Sequence, residues 1–258
     1  YLIGSDYIWP RTSNKIARKH IEGHLTGSKV VGEDYFPLGH TQFNSVINKI
    51  KLVKPDVIFA SVVGGSNVAF YKQMKAAGVD LSKQTLLTIS VTEDEIEGIG
   101  GENIAGAFAC MKYFESLDNG NNKDFVTAFK AAYGPKSVIG DVTQAAYLGP
   151  WLWKLTAEKA GSFEPAKVID AMIGVSVPNL SGGLSAMMPN HHITKPVLIG
   201  EIQGNGQFNI VSTTPGTIVA QEWSPYLEGS RDLIADWRAP MSCGNFNVKT
   251  GKCGGGGT

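Results

Sequence analysis

Asp56-Val-Ile-Phe-Ala-Ser-Val-Val-Gly-Gly-Ser-Asn-Val-Ala-Phe-Tyr-Lys-Gln-Met-Lys-Ala-Ala-Gly78 is the stretch whose reading decides the fold. Asp56 to Val63 is an almost unbroken apolar run, the pattern of a strand buried on both faces. It stops at Gly64-Gly65. Ser66 is read as the cap of the helix that follows, and Gly78 ends that helix. A buried strand, a glycine turn and a helix of this length make the first half of a βαβ unit.

The same alternation runs outward on both sides. Tyr1-Leu-Ile-Gly-Ser-Asp-Tyr-Ile-Trp-Pro10 reads as a strand entered in mid-stride, then a polar loop carrying Tyr7 and Trp9. Ser13 or Asn14 is expected to cap a helix with Ile16, Ala17, Ile21 and Leu25 on one face. Val30 to Pro37 is read as a second strand, and Thr41 as the cap of a helix burying Phe43, Val46, Ile47 and Ile50. Leu86 to Val91 is a fourth strand. Thr92 and Glu95 fit a capping box. Ile104 to Phe114 is a fifth strand, and Asn122 to Tyr133 a helix ended by Gly134-Pro135. Right-handed crossovers then put every post-strand loop on one edge of a parallel sheet, where such folds bind ligands.

The second half reads differently. Val142 to Ala157 is a long apolar helix interrupted by Gly149-Pro150, where a kink is expected. Ser162 and Pro165 start another helix. Leu198 to Ile202 and Gln207 to Val211, joined through Gly204-Asn-Gly, carry a hairpin signal. The tail from Pro225 is loop-like and ends in Gly254-Gly-Gly-Gly-Thr258.

The 258 residues carry 23 basic and 23 acidic side chains, for a formal net charge of zero, and 43% are hydrophobic. A balanced charge argues against a nucleic-acid partner, and no window resembles a membrane helix. Cys243 and Cys253 bracket a polar loop. A disulfide there is the natural reading, with two unrelated surface thiols as the alternative. Cys110 sits in an apolar run and is expected to be a buried, inert thiol.

Gly4-Ser-Asp-Tyr-Ile-Trp-Pro-Arg11, Phe59 to Asn67, Ser90-Val-Thr-Glu-Asp-Glu95, Asn190-His-His192 and Ile199 to Phe208 together resemble a known family. It is that of the type I periplasmic binding proteins for urea and short-chain amides, the receptors of branched-chain-amino-acid-type ABC importers. The likeness covers most of residues 1–225, and the cysteine-bearing tail is similar to the urea-transporter branch. The resemblance implies an α/β fold of two doubly wound lobes with the ligand between them. Residues 1–140 would be the second lobe, 141–180 helices returning to the first, 181–225 a hairpin crossover and 226–258 a tail with the disulfide. Most of the first lobe is expected before Tyr1, some 100–200 residues, or another chain is expected to cover the apolar helix around Tyr147, Trp151 and Leu155. Pro150 departs from the family pattern.

Urea and small amides are neutral, planar and rich in donors and acceptors. A site for them needs convergent hydrogen-bonding groups and a flat apolar wall. Tyr7 and Trp9 suit the wall, and the resemblance implies aromatics at these positions; packing near the hinge is the alternative. Gly64 and Ser66 open a helix whose free N–H groups can receive a carbonyl oxygen, or form only a turn and cap. Ser90, Thr92 and Tyr113 are further candidates, with Thr92 equally readable as a cap. Glu93 or Asp94 can accept from an amide, or serve only as dipole partners. His191-His192 is read as a solvated loop, and Gly98-Ile-Gly-Gly101 is rejected as a dinucleotide fingerprint.

The sequence therefore points to a non-enzymatic receptor of an ABC importer, periplasmic or at the cell surface. Its expected partners are urea or a short amide and the membrane subunits, with no cofactor, no metal and no catalytic residue. A cytosolic amide-sensing regulator of the same fold is the alternative, and an amidohydrolase the remote one.

Overall fold

The computed structural model describes residues 1–234, 246–247 and 250–253. They divide into two compact units, residues 1–77 with 223–258, and residues 78–222.

The first unit holds β1 (Leu2–Ser5), α1 (Ile8–His24), β2 (Glu33–Phe36), α2 (Asn44–Val53), β3 (Val57–Ser61) and α3 (Gly65–Ala76). β1 lies between β2 and β3 and pairs parallel with both, Leu2 opposite Glu33 and Phe59. All four residues of β1 are buried, as a strand flanked by neighbours and crossover helices requires. α1 begins earlier than the sequence suggests. Tyr7, not Ser13 or Asn14, is its N-cap, and Pro10 lies in its first turn. A proline is tolerated there because the first N–H groups of a helix have no intrahelical acceptor. The early start changes the inward face: Pro10 and Asn14 are buried, and Leu25 is exposed. α2 likewise starts after Phe43 rather than at Thr41.

The second unit holds β4 (Thr85–Thr88), α4 (Glu93–Ile99), α5 (Gly101–Ile104), β5 (Phe108–Met111), α6 (Gly120–Tyr133), α7 (Asp141–Ala160), α8 (Pro165–Met172), β6 (Ser176–Pro178), β7 (Leu184–Ala186), β8 (Leu198–Ile202) and β9 (Phe208–Thr213). β4 and β5 pair parallel, while β8 joins β5 antiparallel and forms the expected hairpin with β9. The long strand read over Ile104 to Phe114 is instead a helical turn followed by the four residues of β5. Apolarity alone does not separate a buried turn from a buried strand. α7 contains Pro150 and buries the stripe Gln144, Leu148, Leu152 and Thr156. Leu148 and Leu152 pack on Val177 of β6 and on Met187, just after β7; the β6–β7 hairpin is a small sheet absent from the sequence reading. Among the described residues no helix is long and apolar enough to cross a membrane.

Residues from the tail also form β10 (Leu233–Ile234), β11 (Phe246–Asn247) and β12 (Lys252–Cys253), a short antiparallel sheet where the sequence reading has only loop. Cys243 lies outside the described residues. Cys110 is free and only half-buried.

Gly101 shows how closely the second unit packs. A Cβ there would overlap the carbonyl oxygen of Gly204 and come within 2.9 Å of its carbon and 3.0 Å of Gly206 N. Backbone cannot step aside as a side-chain tip can, so Gly101→Ala is expected to destabilise the chain by about 1–3 kcal/mol, the range for overpacking. Urea denaturation of the variant against the parent, with unchanged slope, checks this.

Candidate functional site

In the first unit the loops after β1 and β3 are neighbours, because the two strands are adjacent and parallel. The Val63 N–H donates to Ser5 Oγ at 3.1 Å, and Ser61 Oγ donates to the Ile3 carbonyl at 3.2 Å. Tyr7 and Trp9 lie on the first loop and the opening turn of α1. Their ring centroids are 6.4 Å apart with planes tilted by 31°. Trp9 keeps 39% of its surface exposed and Tyr7 is half-buried. The expectation that both sit in an extended loop is corrected: Trp9 belongs to the helix, and the two rings are brought together by the helix start. Next to them Arg11 is paired with Asp6 at 2.6 Å and stacks over Tyr35, 4.3 Å from the ring centroid.

The loop after β3 places Gly64 at the N-cap of α3 with φ of 61°, a conformation that favours glycine. Gly64 and Gly65 are exposed. Ser66 does not cap the helix. It lies in the first turn, is buried, and its hydroxyl has no hydrogen-bond partner among the described residues.

In the second unit the edge after β4 and β5 is closed by the protein's own groups. Thr92 is the N-cap of α4, and the capping box is formed: Thr92 N–H and Oγ1 both reach Glu95 Oε2, at 2.8 and 2.7 Å. Thr92 is buried. Tyr113 is corrected as a cleft residue. Its ring is fully buried with Ile139 and Leu180, and its hydroxyl donates to Asn122 Oδ1 at 2.7 Å. Ser90 is half-buried, with Oγ 3.3 Å from Thr88 Oγ1. Asp94 Oδ2 accepts from Gly140 N–H and Thr143 Oγ1, both at 3.0 Å.

Glu93 is the residue the sequence reading underrated. It is 1% exposed, and Oε1 accepts the Glu115 N–H at 2.7 Å. Glu115 in turn pairs with Lys130 and accepts the Ile139 N–H at 2.8 Å. Burial, reinforced by the neighbouring charges of Glu115 and Asp94, pushes Glu93 up to about 8. Its side chain holds a proton at neutral pH, so it is not the ionised acceptor or dipole partner that acidic first-turn residues usually are. No sequence signal marks this, because burial is a tertiary property.

A groove of about 860 Å³ runs between α6 and α7, walled by Phe125, Phe129, Tyr147, Trp151, Leu155 and Pro178. It contains none of the residues expected to bind ligand. Tyr147 and Trp151 remain 40% and 45% exposed there. Burial pushes the Cys110 thiol up, away from thiolate reactivity. Among the described residues no group of three His, Cys, Asp or Glu side chains is placed to hold a metal ion. His191 and His192 are both exposed, in a turn.

The profile described as "Periplasmic binding protein domain" matches residues 1–229, and the chain belongs to that family. Its α/β fold, with mostly parallel strands and intervening helices, is that of the type I periplasmic binding proteins. It is similar to the amino acid ABC transporter substrate-binding protein of Pseudomonas fluorescens Pf-5, with a TM-score of 0.72 and 20% identity over 84% of this chain and 59% of that one. It is also similar to the solute-binding protein of an ABC transporter from Rhodopseudomonas palustris HaA2 in complex with p-hydroxybenzoic acid. There the TM-score is 0.70 and the identity 25%, over 84% of this chain and 60% of that one. A curated relative, limonene hydroxylase of Geobacillus stearothermophilus, is 31% identical over 123 residues, 48% of this chain and 22% of that protein. The chain thus spans less than two thirds of the length of each of these relatives.

The raised Glu93 group makes a signed prediction. Its folded value lies above the ordinary 4.5, so the folded state holds the proton more tightly than the unfolded state does. The corresponding stabilisation is fully present below about 4.5 and is lost as pH rises through about 8. Glu93→Gln keeps the shape and removes the titration. Its melting temperature is expected to fall less than the parent's between pH 5 and pH 9, as differential scanning fluorimetry would show.

Proposed function

We propose that this chain is the ligand-binding part of an ABC-importer receptor, periplasmic or at the cell surface, that captures urea or a short-chain amide and presents it to membrane subunits. The observation that carries the reading is the Tyr7–Trp9 pair at the start of α1, partly open to solvent, with the exposed Gly64-Gly65 turn on the loop that leaves the adjacent parallel strand. A flat aromatic wall, together with unhindered backbone N–H groups at the start of α3, suits a planar neutral carbonyl compound. In this reading Tyr7 and Trp9 stack on the ligand, the amides after Gly64 receive its oxygen, and the Ser66 hydroxyl stands behind that turn. Ser90 remains a candidate of the second unit. Thr92 serves as a cap.

One observation favours a second ligand class. The Rhodopseudomonas palustris relative is in complex with p-hydroxybenzoic acid, and aromatic walls also suit an aromatic acid. Arg11, the cation next to the pair in sequence, is however already paired with Asp6, which leaves a carboxylate to the backbone N–H groups at the start of α3. The proposal therefore stays with a neutral ligand. It includes no catalysis. The short stretch shared with limonene hydroxylase covers too little of that protein to carry its activity here.

Isothermal calorimetry with urea, acetamide and 4-hydroxybenzoate tests the reading. Urea or acetamide is expected to bind and 4-hydroxybenzoate to fail. Tyr7→Ala and Trp9→Ala are each expected to weaken binding roughly ten- to a hundredfold, the loss of about 1–3 kcal/mol of contact. Unchanged affinity in both variants would remove the pair from the site. Binding of the aromatic acid alone would replace the ligand class.

A receptor outside the cytosol also suits a Cys243–Cys253 bridge. One reactive thiol, Cys110, is expected in the unreduced, denatured chain. Counting three would place the protein among cytosolic sensors of the same fold.

A further inference from the structure

His20 and His24 lie one turn apart near the C-terminal end of α1. Their rings face each other, with centroids 5.2 Å apart and planes within 10°. Two imidazoles bound through nitrogen to one tetrahedral ion at about 2.0 Å would have centroids roughly 5 Å apart. The pair thus already has the centroid separation that chelation needs; because the in-plane lone pairs of parallel rings do not converge, the exposed His24 ring must turn about its Cβ–Cγ bond to share an ion with His20. Helical geometry explains this, since residues i and i+4 share a face with Cβ atoms about 5–6 Å apart.

A second group orients the first ring. Tyr226, more than two hundred residues further along, sets its ring edge-on to both histidines, at centroid distances of 5.3 and 5.2 Å. Its hydroxyl lies 3.2 Å from His20 Nδ1. A metal-ligating histidine characteristically donates its other N–H to an oxygen, which fixes tautomer and ring direction. With Nδ1–H donating to Tyr226, the Nε2 lone pair of His20 is left for an ion. Glu22, the nearest carboxylate in sequence, is held by Arg18 at 3.0 Å and supplies no third ligand. The surroundings also suit a cation, because a helix C-terminus carries partial negative charge. His24 is exposed and His20 half-buried, so an ion can reach both.

We propose that His20 and His24 form a binding site for a late first-row divalent transition metal, of which Zn²⁺, Ni²⁺ and Cu²⁺ suit imidazole best. Water completes the coordination, and Tyr226 acts as a positioning residue. The ion would also fasten the Trp223–Asp232 segment to α1, through the Tyr226 hydrogen bond.

The experiment is calorimetric titration of the chelator-stripped, full 258-residue chain with ZnCl₂, with Cu²⁺ electron paramagnetic resonance to count nitrogen donors. One zinc per chain and a copper spectrum with two nitrogens are expected. His20→Gln and His24→Gln should each weaken zinc binding at least tenfold and reduce the copper spectrum to one nitrogen. Tyr226→Phe should keep the two-nitrogen spectrum but weaken zinc binding severalfold. The double variant His191→Gln/His192→Gln should match the parent. Far-UV circular dichroism of each variant confirms that α1 is intact. Zinc affinity unchanged in both His20→Gln and His24→Gln, or lost in the His191/His192 variant, would overturn the proposal. So would the absence of zinc binding to the parent.

Discussion

Parallel strand pairing sets the terms for the rest of the structure. β1 is hydrogen-bonded on both sides, and a parallel neighbour can be reached only by a crossover long enough to carry a helix. Each crossover returns the chain to the same end of the strands, so the loops that leave β1 and β3 are side by side. The bond from Val63 N–H to Ser5 Oγ locks those two loops together. The loop that carries Tyr7 and the loop that carries Gly64 and Gly65 consequently leave the same end of adjacent strands although more than fifty residues apart in sequence.

Buried polar groups decide how the helices seat on this frame. Asn14 is fully buried in α1, where its side-chain oxygen shares the single Ser61 hydroxyl proton with the Ile3 carbonyl, each oxygen 3.2 Å from Oγ. The bond helps to hold the helix against β3, while the amide nitrogen of the same side chain has no hydrogen-bond partner among the described residues, a deficit on the order of 1–3 kcal/mol. In the second unit the acids play a comparable part. Asp94 ties α4 to the start of α7, and Glu115 ties the loop after β5 to Lys130 and Ile139. Glu93 accepts one backbone bond but is too deeply buried, beside Glu115, to ionise at neutral pH. Glu93 and Asp94 look in sequence like ligand acceptors or dipole partners. In the structure they are staples between elements.

The aromatic groups divide by exposure. Tyr113 is spent on the core, whereas Trp9, Tyr147 and Trp151 remain substantially open. Those on α7 border the apolar groove against α6, and the buried stripe of the same helix is satisfied by the β6–β7 hairpin. The long apolar helix expected over Val142 to Ala157 thus resolves into one face seated in the core and another that is solvent-facing.

The alternation of strands and helices, the capping box of Thr92 and Glu95, the β8–β9 hairpin and the family membership were all legible from residue order. Each depends on local periodicity, turn chemistry or motif spacing. So was the spacing of His20 and His24, which the sequence reading nonetheless passed over. What residue order did not contain was burial and partnership at long range. Ser13 and Asn14 are good caps by residue type, yet the helix starts at Ile8 because packing seats Pro10 and Asn14 inward. Tyr113, at the end of a strand, is the kind of residue that lines a cleft, but the core and Asn122 claim it. Glu93 follows a capping threonine as a dipole partner would, yet its proton is held by desolvation beside Glu115. The oxygen that orients His20 comes from Tyr226. Local chemistry chose the elements; which side chains are withdrawn from water, and against which distant partner, only tertiary packing decided, because desolvation and pairing depend on distances that residue order does not encode.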